Sequence, residues 1–269
     1  MAPSVFAAVL LAAAFHAGWN AVIKHRLEPL VTTVLISLGA SMLALALVPL
    51  TGLPALPAWP WIIASVIIHL GYFSFLIESY RAGDMSQVYP LARGAAPFIT
   101  ASLGPLVVGE VVTDLAFTGI AILATGVILL SLWGGRKPAH IDARAIGFAL
   151  LTAVMICAYS LVDGVGARLA GTAHAYSVAL FAGIGPVMLI YARLRRGRAV
   201  IPMMKKHCAI GLAGGVLQFG SYGIAIWAMT LAPIALVAAL RETAVLFGAV
   251  LAASYSRSRW TCRASWRSC

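Results

Sequence analysis

Charge is what this sequence has least of. Of its 269 residues, 10% are Asp, Glu, Lys or Arg, and only eight are acidic; a soluble domain carries about 25%. That shortage excludes a solvated surface over most of the chain. Cysteine is nearly as scarce. Cys157, Cys208, Cys262 and Cys269 share no metal-ligand spacing, so they form neither a disulfide framework nor a zinc site. The glycine-rich GxxxxGK phosphate loop is absent, so ATP is not a direct energy source, and no cofactor is expected. No His/Asp cluster has metal spacing, and no Ser or Cys nucleophile has a plausible base nearby, which argues against an enzyme. Met1–Ser4 lacks the basic stretch of a signal peptide, and no convincing cleavage site follows it.

What the chain has instead is apolar sequence, 62% of it, in long runs separated by short basic loops. The fold class is therefore an all-α polytopic membrane protein. The runs predict nine spans, over 4–23, 31–50, 58–80, 85–109, 114–133, 145–165, 174–192, 207–230 and 233–253. The net charge of +11 does not point to nucleic acid, because the basic residues sit between spans and no basic, aromatic-studded domain exists. Lys24, Arg26, Arg81, Arg136, Lys137, Arg144, the six basic residues of Arg193–Lys206 and the arginines of the tail fall on one side; Arg168 alone falls on the other. The positive-inside rule puts that basic side, with the C-terminal tail, in the cytoplasm and the N-terminus outside.

Two spans carry an arginine in their apolar run. Met85–Glu110 holds Arg93, roughly 13 Å along a helix starting near Asp84 at ~1.5 Å per residue. Leu231–Ala253 holds Arg241 at almost the same depth. An arginine so placed costs about 3 kcal/mol on insertion scales, so each needs a partner or a watery cavity. Both are candidates for binding an anionic group; the competing reading is a structural ion pair. Tyr89 shares Arg93's helix face, and Pro90 between them loosens the helix toward a cavity. His16, Asn20 and Lys24 form one polar stripe on span 1, and Asp163 shares a face with Tyr159. Glu242 adjoins Arg241 but points elsewhere on a helix, so it is expected to pair across helices, with Lys24 or Arg93. His69 and Glu78 are not placeable. Gly119 and Gly126 in span 5, and Gly211, Gly214 and Gly215 in span 8, predict close helix approach.

The second half lies on the first. Leu10-Leu11 matches Leu150-Leu151, which sets Trp19 against Tyr159 and Asn20 against Ser160; Gly71-Tyr72 resembles Gly220-Ser-Tyr222. Each unit has five spans, an odd number, so the second is inserted upside down. This gives a first repeat at 1–137, a second, incomplete repeat at 138–253 and an aberrant basic tail at 254–269. Inverted repeats with polar residues near the midplane mark secondary transporters that work by alternating access. Span 10 is missing. The tail SYSRSRWTCRASWRSC has the composition of GC-rich DNA read out of frame, so a frameshift is expected near Ala252–Ser254; the alternative is a nine-span form with a basic cytoplasmic tail.

These residues resemble a known family. FHAGWNAVIK (Phe15–Lys24), YRAGDMSQVYPLARGAAP (Tyr80–Pro97), Gly109-Glu110, GIAILATGVILL (Gly119–Leu130) and PIALVAALRETAVLFG (Pro233–Gly248) are similar to the EamA-type transporters of the drug/metabolite transporter superfamily, in bacterial form. The resemblance covers about residues 4–253. It implies ten spans in two five-helix repeats, a central cavity, a place in the bacterial inner membrane, and export or exchange of a small polar or amphipathic metabolite such as an amino acid. The candidate substrate-binding residues are His16, Trp19, Asn20, Tyr89, Arg93, Tyr159, Asp163 and Arg241. The expected partners are a small-molecule substrate and the lipid bilayer, with no nucleic acid; coupling to a proton, through His16, Glu78 or Asp163, or to a counter-substrate stays open, as does a homodimer. The competing readings are a truncated, inactive product of such a gene and a membrane-embedded enzyme.

Overall fold

The computed structural model describes residues 1–23, 28–133 and 142–248. The expectations for Lys24, for residues 134–141 and for the tail from 249 onward lie outside the described residues. Within them the chain is helical: α1 (Pro3–Ile23), α2 (Pro29–Thr51), α3 (Trp59–Ala82), α4 (Met85–Val107), α5 (Asp114–Trp133), α6 (Ala143–Leu169), α7 (Ala173–Arg196), α8 (Val200–Lys205), α9 (Cys208–Met229) and α10 (Ile234–Arg241). Local signals set the starts. Proline stands in the first turn of α2 and α3, where a missing N–H costs nothing. Asp142 caps α6 by accepting from Arg144 N at 3.0 Å, and Thr172 caps α7 by accepting from Ala175 N at 3.2 Å.

Length and apolarity mark six membrane-crossing helices among the described residues, against the nine expected. They correspond to α1, α2, α3, α6, α7 and α9, the seventh span continuing past residue 192 through Arg196 and then α8. The other three expected spans differ for separate reasons. α4 has the length, at 23 residues, but holds Arg93 and three prolines. α5 runs over the expected 20 residues, Asp114–Trp133, and is apolar over the described stretch Asp114–Leu129. The ninth is interrupted. α10 has eight residues and ends at Arg241; Glu242 and Thr243 form a turn, and helix resumes at Ala244. Glu242 N and Thr243 N bond carbonyls only three residues back, at 3.0 and 3.1 Å, tightening the turn. Thr243 Oγ1 takes the Leu240 carbonyl at 2.7 Å, so the break is satisfied within itself.

The helices pack in a pattern that exchanges partners between the halves. α3 lies along α6 as α1 lies along α9; α4 meets α6 as α10 meets α1; α2 and α7 pack on each other. Backbone meets backbone between α2 and α9. A Cβ added at Gly39 would strike the Gly211 carbonyl, and one at Gly215 the backbone of Gly39 and Ala40. The α9 glycines therefore work as expected. Gly119 and Gly126 of α5 do not: nothing lies within 4 Å of a Cβ at either. α5 meets α4 through Gly94 instead, whose added Cβ would come 3.1 Å from the Ala124 carbonyl.

Each end of the bundle is tied by charge. At the basic end Glu28 pairs with Arg81 and Arg196, and Glu78 with Arg81 and Arg195, joining α2, α3 and α7. At the far end Gly109 takes φ 71°, turning the chain after α4 so that Glu110 faces inward. Glu110 pairs with Arg168 and also accepts from Ile234 N at 2.8 Å, at the start of α10. Arg168 donates from Nε and Nη2 to the Met229 carbonyl, at 3.1 and 2.7 Å. One guanidinium thus clasps the ends of α6 and α9 to the loop after α4.

Candidate functional site

The helices enclose a central cavity whose wall is mostly aromatic. His16 and Trp19 come from α1, His69 and Tyr72 from α3, Tyr159 from α6, Phe181 from α7, Gln218 and Tyr222 from α9, and Arg241 from α10. His69 stacks on Tyr159 with ring centroids 4.4 Å apart, and Tyr222 meets Tyr159 edge-on at 5.4 Å. The free volume is about 30 Å³, room for one or two waters. A drug-sized ligand needs ~300–1,000 Å³, far more than this cavity offers.

The two arginines occupy different environments. Arg93 is 2% exposed and Glu242 is 3% exposed, and they form a buried pair. Arg93 Nε donates to Glu242 Oε2 at 2.8 Å; Nη2 lies 2.8 Å from Oε1 in ion-pair contact, without the alignment of a hydrogen bond. Arg241 is equally buried, yet among the described residues no carboxylate lies within the 4.0 Å of an ion pair. Its Nε has no hydrogen-bond partner. Its Cζ sits 4.7 Å above the Tyr222 ring, a cation–π contact worth about 2 kcal/mol when desolvated. The helix break explains how consecutive residues serve two sites. Arg241 closes α10 and faces the cavity, while Glu242, in the turn, reaches α4.

Behind the wall Asp163 is fully buried. Its Oδ1 accepts from the Tyr176 hydroxyl at 2.8 Å, and its Oδ2 accepts from the Tyr222 hydroxyl. Asp163 thus fixes the ring beneath Arg241. On α1, Trp19 Nε1 donates to His16 Nδ1 at 3.3 Å. Because indole only donates, Nδ1 is the acceptor and Nε2 carries the proton, 3.1 Å from the Tyr89 hydroxyl. Asn20 turns back to its own helix, giving its amide to the His16 carbonyl at 2.8 Å.

Of the eight residues proposed from sequence, His16, Trp19, Tyr159 and Arg241 line the cavity. Tyr89 touches it through His16, Asp163 through Tyr222; Arg93 and Asn20 do not line it. Sequence reasoning missed Tyr222 and Gln218, and left His69 unplaced. Gln218 matters because its buried Oε1 has no partner either. The match of Gly71-Tyr72 with Gly220-Ser-Tyr222 was the signal that should have raised Tyr222.

Six apolar helices around a cavity with buried charge define a class, a multi-pass membrane transporter. Comparison with known proteins bears this out. The chain is 35% identical over 88 residues to multidrug resistance protein EbrB of Bacillus subtilis (strain 168), a match spanning 32% of this chain and 70% of that protein. The chain belongs to the family of EbrB. A protein of known crystal structure shares the fold, with a TM-score of 0.72, 15% identity and coverage of 94% of this chain and 87% of the other. No family model matches the sequence.

Proposed function

We propose that this chain is a secondary active transporter of the EamA type within the drug/metabolite transporter superfamily. It exports or exchanges a small polar or amphipathic metabolite, such as an amino acid, by alternating access between inverted repeats. One observation carries this reading: Arg241 is buried, faces the cavity and has no carboxylate within ion-pair distance among the described residues. Such a cation is costly to hold unless an anion shares the site. Gln218 Oε1, also unpartnered, offers an acceptor in the same cavity for an ammonium or hydroxyl group. The location suits a carrier, because broken helices at mid-depth are where transporters bind substrate. The exchange of helix partners between the halves supports two related repeats, 1–137 and 138–253. In this reading the basic end faces the cytoplasm and the N-terminus lies outside, across the bacterial inner membrane.

The roles divide accordingly. Arg241 binds the anionic group; His16, Trp19 and Tyr159 shape the cavity. Arg93, through Glu242, and Asp163, through Tyr222, are positioning residues. A coupling proton would pass through His16 or Asp163 rather than Glu78, which is committed to Arg81 and Arg195. The test is counterflow in vesicles loaded separately with amino acids and simple carboxylates. Arg241→Gln should abolish carboxylate counterflow while the amount of folded protein in the membrane stays unchanged. Counterflow that survives the substitution, or that falls in step with folded protein, would overturn the assignment.

A further inference from the structure

The central cavity is too small for a metabolite, but a second space beside it is not. A cleft of about 310 Å³ opens near the far end of the bundle. Its walls are Ala8 of α1, Leu47 of α2, Val178 of α7, and Phe219, Gly223 and Trp227 of α9. Thr51 and the exposed His174 stand at helix ends, so the cleft is apolar inside and polar at its rim.

Side chains form the partition between the two spaces. Phe181 faces the cavity and Phe219 faces the cleft, and their ring centroids are 5.1 Å apart. Phe181 also meets Tyr222, at 6.3 Å, and Tyr222 lies beneath Arg241. Ring contacts therefore run unbroken from the unpaired guanidinium to the cleft. Rotamer changes at these two phenylalanines are a far smaller event than moving a helix. Gly223 keeps the far wall bare: nothing lies within 4 Å of a Cβ placed there.

We propose that the cleft is a tail-binding subsite and that the substrates are amphipathic monocarboxylates. The carboxylate meets Arg241, and the apolar body passes between Phe181 and Phe219 into the cleft. This rests on the transporter reading only for the role of Arg241. The division of volume supports it, since the cleft, unlike the cavity, reaches the lower size of a ligand pocket.

The experiment uses the full chain in lipid nanodiscs with dodecanoate carrying a photoreactive diazirine at its tail end. Adducts mapped by mass spectrometry should fall within 219–227 of α9 and 174–178 of α7. Unlabelled carboxylates from butyrate to dodecanoate should compete with affinity rising about fourfold per added methylene until the cleft is full. Gly223→Trp and Ala8→Leu fill the cleft from opposite walls, so failure of one to fold leaves the other. Each should cut labelling at least tenfold while leaving the thermal stabilisation by butyrate, and its dependence on Arg241, unchanged. Equal labelling of the exposed face of α5, or labelling that survives both substitutions, overturns the subsite. Butyrate stabilisation with no gain from chain length sinks the cleft but spares the transporter reading. No butyrate stabilisation at all sinks the head site and the subsite with it.

Discussion

Removing the charge of Glu242 or of Arg241, at the break that ends α10, should have unequal effects on stability. Glu242→Ala strands Arg93, a guanidinium 2% exposed whose charge partner, 2.8 Å away, is gone. Breaking a buried pair from one side costs about 3–5 kcal/mol, because the remaining charge is uncompensated. In a chain of this size that corresponds to a fall in Tm of roughly 6–20 °C. Arg241→Gln instead removes a charge that has no carboxylate partner among the described residues, forfeiting the contact with Tyr222, worth about 2 kcal/mol when desolvated, and relieving a burial cost of similar size. Its Tm should move by no more than a few degrees in either direction. The double change Arg93→Met with Glu242→Leu should recover most of the loss, since apolar residues of similar volume replace buried pairs well. The assay is thermal unfolding of purified protein in one detergent, followed by tryptophan fluorescence. Equal destabilisation by Glu242→Ala and Arg241→Gln would refute the reasoning, because both arginines would then be structural.

Three further outcomes are expected. Tyr222→Phe keeps the ring under Arg241 but leaves Asp163 one donor short, and should cost about 1–3 kcal/mol of stability; Tyr222→Leu should further weaken carboxylate-dependent thermal stabilisation, and no difference between the two would contradict the cation–π contact. Gly215→Leu should abolish folded yield, because its side chain meets the backbone of Gly39 and Ala40, whereas Gly119→Leu, in open space, should leave yield unchanged by fluorescence-detected size exclusion. A cysteine at Arg198, on a background without native cysteines, should resist membrane-impermeant thiol reagents in intact cells; rapid labelling from outside would reverse the proposed orientation.

The sequence exposed the charges more readily than the geometry around them. Arg93 and Arg241 stood out because a charge in an apolar run is costly wherever the helix goes. The rule that neighbours on a helix point apart sends Glu242 across helices, to Lys24 or Arg93, and in the structure it pairs with Arg93. The break at Glu242 and Thr243 was not legible. Ile234–Phe247 has no glycine or proline to mark it, so an apolar run reads as one helix. Tertiary demand makes the difference: one carboxylate must reach α4 while the preceding guanidinium stays in the cavity. The aromatic wall was hidden for a related reason. Tyrosines and histidines scattered over α3, α6 and α9 have no common spacing in the chain, and only the folding of those helices around one axis makes them neighbours. Gly119 and Gly126 show the converse, since their spacing permits close approach without supplying a helix to approach.

The two ends of the bundle are fastened by different chemistry. At the basic end the arginines that hold α2, α3 and α7 together are 43–48% exposed, and every tie is carboxylate to guanidinium. Ions in solution screen such contacts, which are worth little individually. The clasp at the far end is less exposed, at 33% for Arg168, and two of its bonds go to a backbone carbonyl that salt does not displace. Ionic strength therefore acts on this molecule with a direction. Raising it should loosen the arginine-rich mouth while leaving the opposite one shut. Spin labels across each mouth, read between low and high salt, should broaden their distance distribution at the first and keep it at the second. If the alternating-access reading holds, the electrolyte on the arginine-rich side alone would bias which mouth of the carrier is closed.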